Sequence, residues 1–301
     1  MRATLASPHM QTNPLIQAVQ SNNERALLKV LQWSSAAAWA RNAHATTKTT
    51  ALIEAARAKT PVFVAALLDL SDADARDHKG NSALMLAAQA GDADCVRLLL
   101  PRSDTTAAQP GGLTALGLAV ASGSAECIRL LATEPHAKAA AARANKAGLT
   151  ALMLASMASN THAVDLLLPI SEPLARANDG VTALMWAGRC GARACVERLL
   201  PVSDANAQAG DGTNALMWAA MEGHPECVRG LLPASDPMAR TVGGLTALMM
   251  AADQGHAECV RLLIPVSNLN AGSEVGTTAL GLAQRSRRTR CVELLEAALF
   301  S

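Results

Sequence analysis

Short apolar phrases recur along the chain at a fixed spacing. The phrase Ala-Leu-Met-Leu-Ala-Ala begins at Ala83, and related phrases begin at equivalent alanines elsewhere. These alanines stand 32 residues apart, except for one step of 36, at Ala51, Ala83, Ala115, Ala151, Ala183, Ala215, Ala247 and Ala279. A fixed period of this length is typical of a solenoid in which each repeat packs on the next.

Each repeat is predicted to hold two short helices. Leu84, Ala87 and Ala88 stand at i, i+3 and i+4 and form an apolar stripe on a first helix. Gly91 interrupts the pattern, and residues 95–100 form a second apolar segment with a wide apolar side. The predicted unit is therefore helix, turn, helix.

The segments between helix pairs carry turn-forming residues. Pro101 is expected to end the second helix because proline cannot donate the next helical hydrogen bond, and the Ser103-Asp104 pair that follows favours a turn. Two stretches are longer than the repeat requires, residues 32–49 and the alanine-rich residues 137–142, and both are expected to protrude as loops.

The repeat resembles the ankyrin repeat, whose unit is a β-turn followed by two antiparallel helices. The resemblance is carried by Gly-Thr-Asn-Ala-Leu-Met-Trp-Ala-Ala-Met-Glu-Gly-His from Gly212 to His224, followed by Cys227-Val228 and Leu231-Leu232. It covers roughly residues 13–295 and implies an all-α, ankyrin-repeat solenoid of about nine helix-turn-helix units with short β-turn loops.

The expected organisation is one array over residues 13–301. Its capping units are expected at about 13–48 and 276–301, and an N-terminal tail at residues 1–12. Methionine stands where the family has histidine, at Met85, Met153, Met185, Met217 and Met249. We predict that these side chains pack in the core and do not form a binding surface.

Composition narrows the class of function. Half of the residues are hydrophobic, but the chain has only two Phe, four Trp and no Tyr, so closely packed Ala, Leu, Val and Met must build the interior. The formal net charge is +1, which argues against nucleic acid or an anionic membrane as partner. Residues 1–7 lack the apolar core of a secretory signal. We expect a soluble, cytoplasmic monomer.

The cysteines resemble a metal or disulfide framework only at first sight. Six of them occupy the same slot on the second helix, one helix-packing distance apart, at Cys95, Cys127, Cys195, Cys227, Cys259 and Cys291. That distance, roughly 8–10 Å, is too long for a disulfide. We therefore expect small buried hydrophobes in a reducing compartment. Cys190 lies outside this slot, and it is the thiol whose exposure and reactivity deserve a test, although a structural role is favoured.

No catalytic or metal-ligating pattern is present in the sequence. The spacings typical of zinc, phosphate and nucleophile motifs are absent, and the carboxylates are scattered at repeat positions. His224 and His256 stand in the turn between the helices, where the family uses histidine to tie backbone groups together. We predict no catalytic residue, no metal and no cofactor.

The resemblance implies that a partner protein binds the concave side, through the turn tips and the exits of the first helices. The turn tips supply His78, Lys79, Leu113, Leu149, Val181, Thr213 and Leu245. The helix exits supply Gln89, Met157, Arg189, Met221, Glu222, Asp253, Gln254 and Arg285. Trp186 and Trp218 occupy equivalent places in adjacent repeats and are expected either to pack between repeats or to anchor a partner.

Arginines cluster in the last unit at Arg285, Arg287, Arg288 and Arg290. A terminal repeat must present a polar face to water, so we favour a solvating cap over a phosphate or nucleic-acid site.

Three functional hypotheses remain open from the sequence. The first is a non-enzymatic scaffold for protein–protein interaction. The second is a bacterial effector delivered to the cytosol of a host, or a regulator that inhibits an enzyme, since the alanine-rich composition and the Leu-Leu-Pro-x-Ser-Asp loops resemble ankyrin arrays of proteobacteria, including effectors of plant pathogens. The third is an enzyme, for which Cys190 alone speaks.

Overall fold

A computed structural model describes residues 13–43 and 48–300. The described residues form two compact units, one ending at Ala140 and one beginning at Ala141. The predicted tail at residues 1–12 and part of the long stretch at 32–49 lie outside the described residues. A single array over residues 13–301 stays a prediction, and each unit is taken by itself below.

The first unit is built from helix pairs. Its first helices contact one another in the order α1, α4, α6, α8, and its second helices α5, α7 and α9 do the same. The helices are α1 (Pro14–Gln20), α2 (Glu24–Leu31), α3 (Ala36–Arg41), α4 (Ala51–Arg57), α5 (Pro61–Leu68), α6 (Ala83–Ala90), α7 (Ala93–Leu99), α8 (Ala115–Ser122), α9 (Ala125–Ala132) and α10 (Ala137–Ala142), whose last two residues fall beyond Ala140.

The second unit repeats the arrangement. Its first helices contact one another in the order α11, α13, α15, α17, α19, and its second helices in the order α12, α14, α16, α18, α20. The helices are α11 (Ala151–Met157), α12 (Thr161–Leu167), α13 (Ala183–Arg189), α14 (Arg193–Leu199), α15 (Ala215–Met221), α16 (Pro225–Leu231), α17 (Ala247–Gln254), α18 (Ala257–Leu263), α19 (Ala279–Arg285) and α20 (Thr289–Phe300).

The described residues thus contain nine helix pairs, which confirms the all-α fold of about nine units. They contain no β-strand, and the one isolated β-bridge joins Ala108 and Thr114.

Each first helix after α1 begins at a capping side chain. In α13 the hydroxyl of Thr182 accepts a hydrogen bond from the amide of Met185 at 3.3 Å, and in α15 the side chain of Asn214 accepts one from Met217 at 2.9 Å. This bond satisfies an amide that the helix itself leaves without a partner. A Thr, Ser or Asn at the same repeat position therefore fixes the start of each of these helices.

The core lies between the two layers of helices. In α13, Ala183, Leu184, Met185 and Ala187 are at most 2% exposed. The apolar stripe of α6 is buried in the same way, and so are all five methionines assigned to the core. The small alanines let the first helices of successive repeats approach closely. Close packing of these helices therefore explains why the chain is rich in alanine.

Proline does not end the second helix outright, which corrects the sequence prediction. Pro101 lies inside a further turn of 3₁₀-helix, Leu100–Arg102, that continues α7. Proline is tolerated there because the first residues of a helical turn need no amide donor. The chain then turns at Asp104, whose carboxylate accepts a hydrogen bond from the amide of Thr106 at 2.9 Å.

The two long stretches are not simply protruding loops, which corrects a second prediction. Each contains a short helix, α3 or α10, with alanines turned inward. Ala36 and Ala40 are buried in α3, and Ala137 and Ala140 are buried in α10. Alanine has the highest helix propensity, which explains why an alanine run forms a helix when a packing surface is near.

A five-residue turn, which we call the turn tip, precedes most first helices. The tips of the second unit are residues 145–149, 177–181, 209–213, 241–245 and 273–277, and each is closed by a backbone hydrogen bond from its first to its last residue. One more backbone bond links each tip to the next, as from Gly210 to Asp179 at 2.7 Å and from Val242 to Asp211 at 2.9 Å.

Arginine side chains fasten neighbouring turn tips together. Nη1 of Arg240 donates to the carbonyl oxygen of Gly244 in its own tip at 3.3 Å and to that of Gly272 in the next repeat at 2.7 Å. Arg76 and Arg176 make the same pair of bonds, in each case to carbonyl groups 4 and 32 residues further along the chain. These bonds therefore hold neighbouring tips in register with one another.

Candidate functional site

Most of the predicted binding positions lie, within each unit, on what we call the turn-tip face, the surface formed by the turn tips of that unit and the outward sides of its first helices. Eight of them are exposed: His78, Lys79, Gln89, Met157, Arg189, Glu222, Gln254 and Arg285. Six are half-buried: Leu113, Leu149, Trp186, Met221, Leu245 and Asp253. Trp218 is buried, with 8% of its surface exposed.

Val181 and Thr213 are not accessible, contrary to their assignment as tip residues. They are 2% and 4% exposed, because the last residue of each tip turns back towards the helix that follows. Their backbone carbonyls close the turns by accepting from Ala177 and Ala209. The exposed part of each tip lies earlier in the turn, for example at Asp179.

An aromatic and cationic cluster occupies the middle of the second unit. The ring centroids of Trp186 and Trp218 lie 5.7 Å apart with the planes at 75°, an edge-to-face contact. The guanidinium carbon of Arg189 lies 5.5 Å from the Trp186 ring centroid and 5.0 Å from that of Trp218. Both distances are within the range of a cation–π interaction. The two tryptophans therefore pack between repeats and also hold an exposed arginine.

The next repeat positions Arg189 from two further sides. Glu222 forms an ion pair with its guanidinium at 3.4 Å, and Nε2 of His224 lies 3.0 Å from the Arg189 carbonyl oxygen. The histidine contact agrees with the backbone-tying role expected for His224. The indole Nε1 of Trp186 is buried without a hydrogen-bond partner. The guanidinium of Arg189 is thus held against two tryptophan rings, and the Glu222 carboxylate balances part of its charge.

A second feature of this unit is an apolar recess of about 340 Å³ between two turn tips and the first helices. It brings together five of the predicted binding residues: Met221, Leu245, Asp253, Gln254 and Arg285. The remaining lining residues are Gly243, Met249, Met250, Ser273, Val275, Thr277 and Leu282. We call this the methionine recess.

The first unit carries a polar pocket of about 510 Å³ that contains His78, Lys79 and Gln89. Its base is the carboxylate of Asp77, which is fully buried and forms an ion pair with Arg57 at 3.1 Å. The amides of Lys79 and Asn81 also donate to Asp77, each at 2.9 Å. These bonds make Asp77 the structural centre of its turn tip.

Three predicted residues belong to none of these groups. Leu113 packs over α8, where a Cβ placed on Gly117 would lie 3.1 Å from its side chain. Leu149 closes its own turn tip, and Met157 is 41% exposed at the end of α11. Sequence reasoning missed Asp77, Met250 and Val275, although their place in the repeat, beside residues that it selected, would have identified them.

The cysteines are free in the structure, and the six in the repeated slot are buried. Burial raises the pKa of Cys227 and of Cys259 to about 11. Cys190 is half-buried, and burial raises its pKa too, against the opposing effect of the Arg189 charge. Because the thiolate is the reactive form, this shift disfavours Cys190 as a nucleophile.

The arginine cluster at the end of the chain is spread over several contacts. Nε of Arg288 donates to the carbonyl oxygen of Asp253 at 2.9 Å, and Arg290 forms an ion pair with Glu293 at 2.7 Å. Arg285 lines the methionine recess, and Arg287 is exposed. Four separate environments agree better with a solvated cap than with one phosphate site.

Within residues 13–43 and 48–300, no group of three or more His, Cys, Asp or Glu side chains is arranged to hold a metal ion. In the same residues every helix is too short or too polar to span a bilayer.

Comparison with known proteins identifies one family. The family model described as ankyrin repeats (3 copies) matches overlapping segments at residues 15–110, 102–178, 118–211, 158–241 and 216–298, which together span nearly the whole chain. A search of curated proteins found no match.

Proposed function

Because the chain belongs to the ankyrin-repeat family, we propose that it is a non-enzymatic scaffold that binds another protein through the turn-tip face of its second unit. Ankyrin repeats are in general protein–protein interaction modules. The family is typically without enzymatic activity of its own. The turn-tip face carries the residues for which the resemblance implies a concave, partner-binding side.

The observation that carries this proposal is the cluster of Trp186, Trp218 and Arg189. Tryptophan and arginine are the residues most often found as energetic anchors of protein interfaces. Here the aromatic rings are already packed, so little side-chain freedom is lost on binding. Arg189 is held by Glu222 and by both rings while its side chain remains 43% exposed. Arg189 is therefore preorganised and accessible, whereas Trp218, which is 8% exposed, contributes by holding it.

The test compares partner capture by the wild-type chain, by Arg189→Ala and by Trp186→Ala. Capture should fall at least tenfold in both variants, the effect of about 1.4 kcal/mol in binding free energy. The matched control is Arg198→Ala on α14, because the Arg198 side chain is also exposed, at 53% against 43% for Arg189, and is also ion-paired, to Asp165. Equal capture by the wild type and by both folded cluster variants would refute this surface.

We also propose a monomer that works in the cytoplasm. All seven cysteines are free, and Cys95, Cys127 and their equivalents are buried in the reduced form, which suits a reducing compartment. Light scattering on the purified chain would expose a dimer.

The alternative of a delivered bacterial effector or of an enzyme-inhibiting regulator uses the same surface and differs only in place and partner. A translocation reporter fused to residues 1–50 separates the first of these from a resident scaffold. Failure of the reporter to reach host cytosol would count against delivery, and it would leave the binding surface unaffected.

A further inference from the structure

The methionine recess is apolar inside and open to solvent at its rim. Met249 and Leu282 are buried at its floor, and Met221, Leu245 and Met250 are half-buried along its walls. At the rim, Val275 on the last turn tip is 84% exposed. A β-branched apolar side chain left almost wholly in water gains from being covered. Methionine side chains adapt their shape to what enters.

The recess carries one charge that the protein itself does not engage. Of the two charged residues that line it, Asp253 accepts a hydrogen bond from Ser286 at 2.6 Å and one from Gln254 at 3.2 Å. Arg285 is exposed, and no carboxylate of the described residues lies within ion-pair distance of it. By comparison, Arg189, which belongs to the cluster with Trp186 and Trp218, forms an ion pair with Glu222. Ser286 and Gln254 each occupy one oxygen of the Asp253 carboxylate without changing its charge, so Arg285 is the charged group whose hydrogen-bond donors, among the described residues, stay free beside the apolar walls.

We propose that the methionine recess receives one bulky apolar side chain of a partner protein, while Arg285 binds a carboxylate next to that side chain in the same segment. This rests on the proposed function and specifies the partner's chemistry. An arginine fork binds a carboxylate through two parallel hydrogen bonds, which adds orientation to affinity. A volume of about 340 Å³ is near the lower end for binding pockets and suits a single large side chain.

The open rim favours a side chain carried by a protein over a free small molecule. Small-molecule sites enclose most of their ligand, whereas this recess has the exposed Val275 at its edge. A partner segment that lies across the rim would cover Val275 and bring its neighbouring residues within reach of Arg285. The acid and the apolar residue should therefore stand one or two positions apart.

Selection of random heptapeptides displayed on phage tests the proposal without a known partner. The full chain is immobilised, and the selected sequences should be enriched in a large apolar residue next to Asp or Glu. Val275→Asp should abolish this enrichment, and its control is Val266→Asp, a valine outside the recess that is 44% exposed against 84% for Val275. Arg285→Glu should remove the acidic preference and keep the apolar one. Its control is Arg287→Glu, which makes the same charge change outside the recess.

A synthesised peptide from the selection then gives the magnitude. Its dissociation constant, measured by fluorescence anisotropy, should rise at least tenfold in Arg285→Glu and in Val275→Asp, and should change less than twofold in the two controls. Absence of any enriched motif on the wild type overturns the inference. So does a motif that survives both recess variants, or one without acid.

These outcomes are separate from those of the proposed function. If Arg189→Ala abolishes partner capture while Val275→Asp and Arg285→Glu leave it intact, the scaffold proposal stands and the recess proposal fails. If the cluster variants leave capture intact and the recess variants abolish it, binding is centred on the recess and the placement at the Trp cluster fails.

Discussion

At the scale of single residues, a side chain in one repeat restricts which residue can occupy the turn between the two helices of the repeat before it. Gly191 has φ of +67°, and a Cβ at this position would lie 2.6 Å from Nδ1 of His224 in the next repeat. Glycine allows the left-handed backbone conformation, and its lack of a Cβ leaves room for the His224 ring. At the equivalent place Ser159 has φ of +54°, and the corresponding residue of its next repeat is the small Ala192.

Ser159→Gly is therefore expected to stabilise the protein by about 0.5–1 kcal/mol, since a residue with a Cβ is strained in this conformation and glycine is not. Urea unfolding followed by circular dichroism measures the change. Gly191→Ala is the matched opposite, and it should destabilise by more than 1 kcal/mol because strain and the clash with His224 add. A stabilised Gly191→Ala variant would contradict the explanation.

At the scale of elements, the helices could be predicted from the sequence and the surface between them only in part. The stripe of Leu84, Ala87 and Ala88 specifies a buried helix face because its spacing matches the helical period. The burial of Val181 could not be predicted from the sequence, since which side chains of a five-residue turn are buried depends on how the turn closes. The methionine recess was also out of reach as a cavity, because it needs Val275 and Met221, two residues that lie 54 positions apart in sequence and in different repeats.

The arginine that fastens two turn tips gives an element-scale prediction. Arg240→Ala removes the hydrogen bonds to Gly244 and Gly272, so the amides of residues 241–245 and 273–277 should exchange with deuterium faster. The stability change should stay small, about 0.5–1.5 kcal/mol, since the side chain is exposed.

Arg229→Ala is the control for this experiment. Arg229 is exposed on α16 and forms only ion pairs, at 3.5 Å with Glu226 and at 3.8 Å with Glu258. Exchange at the turn tips should not change in this variant. Unchanged exchange in Arg240→Ala as well would show that the backbone bonds between tips suffice to hold them.

At the scale of the whole molecule, buried thiols recur in both units and make stability sensitive to alkaline pH. The pKa of Cys227 and that of Cys259 are raised from the ordinary value of 9.0 to about 11 in the folded state because burial disfavours the thiolate. A folded-state pKa above the unfolded one contributes stability that is complete below about pH 9 and is lost as pH rises towards 11.

Urea unfolding at pH values below, within and above this window should therefore show a decline that the double variant Cys227→Ala, Cys259→Ala reduces. Each unit of pKa shift corresponds to about 1.4 kcal/mol. The chain has no tyrosine, so phenol ionisation does not contribute to the decline. An identical pH dependence in wild type and variant would rule out the thiols as its source.

The bonds that fasten one turn tip to the next have a consequence for how such a gene can change. Arg176 reaches the carbonyl oxygen of Gln208, and Arg240 reaches that of Gly272, in both cases 32 residues onward. Loss of residues 183–214 would place the carbonyl of Arg240 where that of Gln208 had been, so the acceptor is replaced by its equivalent. Unequal recombination can thus change the length of the coding sequence by one period and keep the bond between turn tips, although this deletion would place His224 against the Cβ of Ser159 instead of against Gly191.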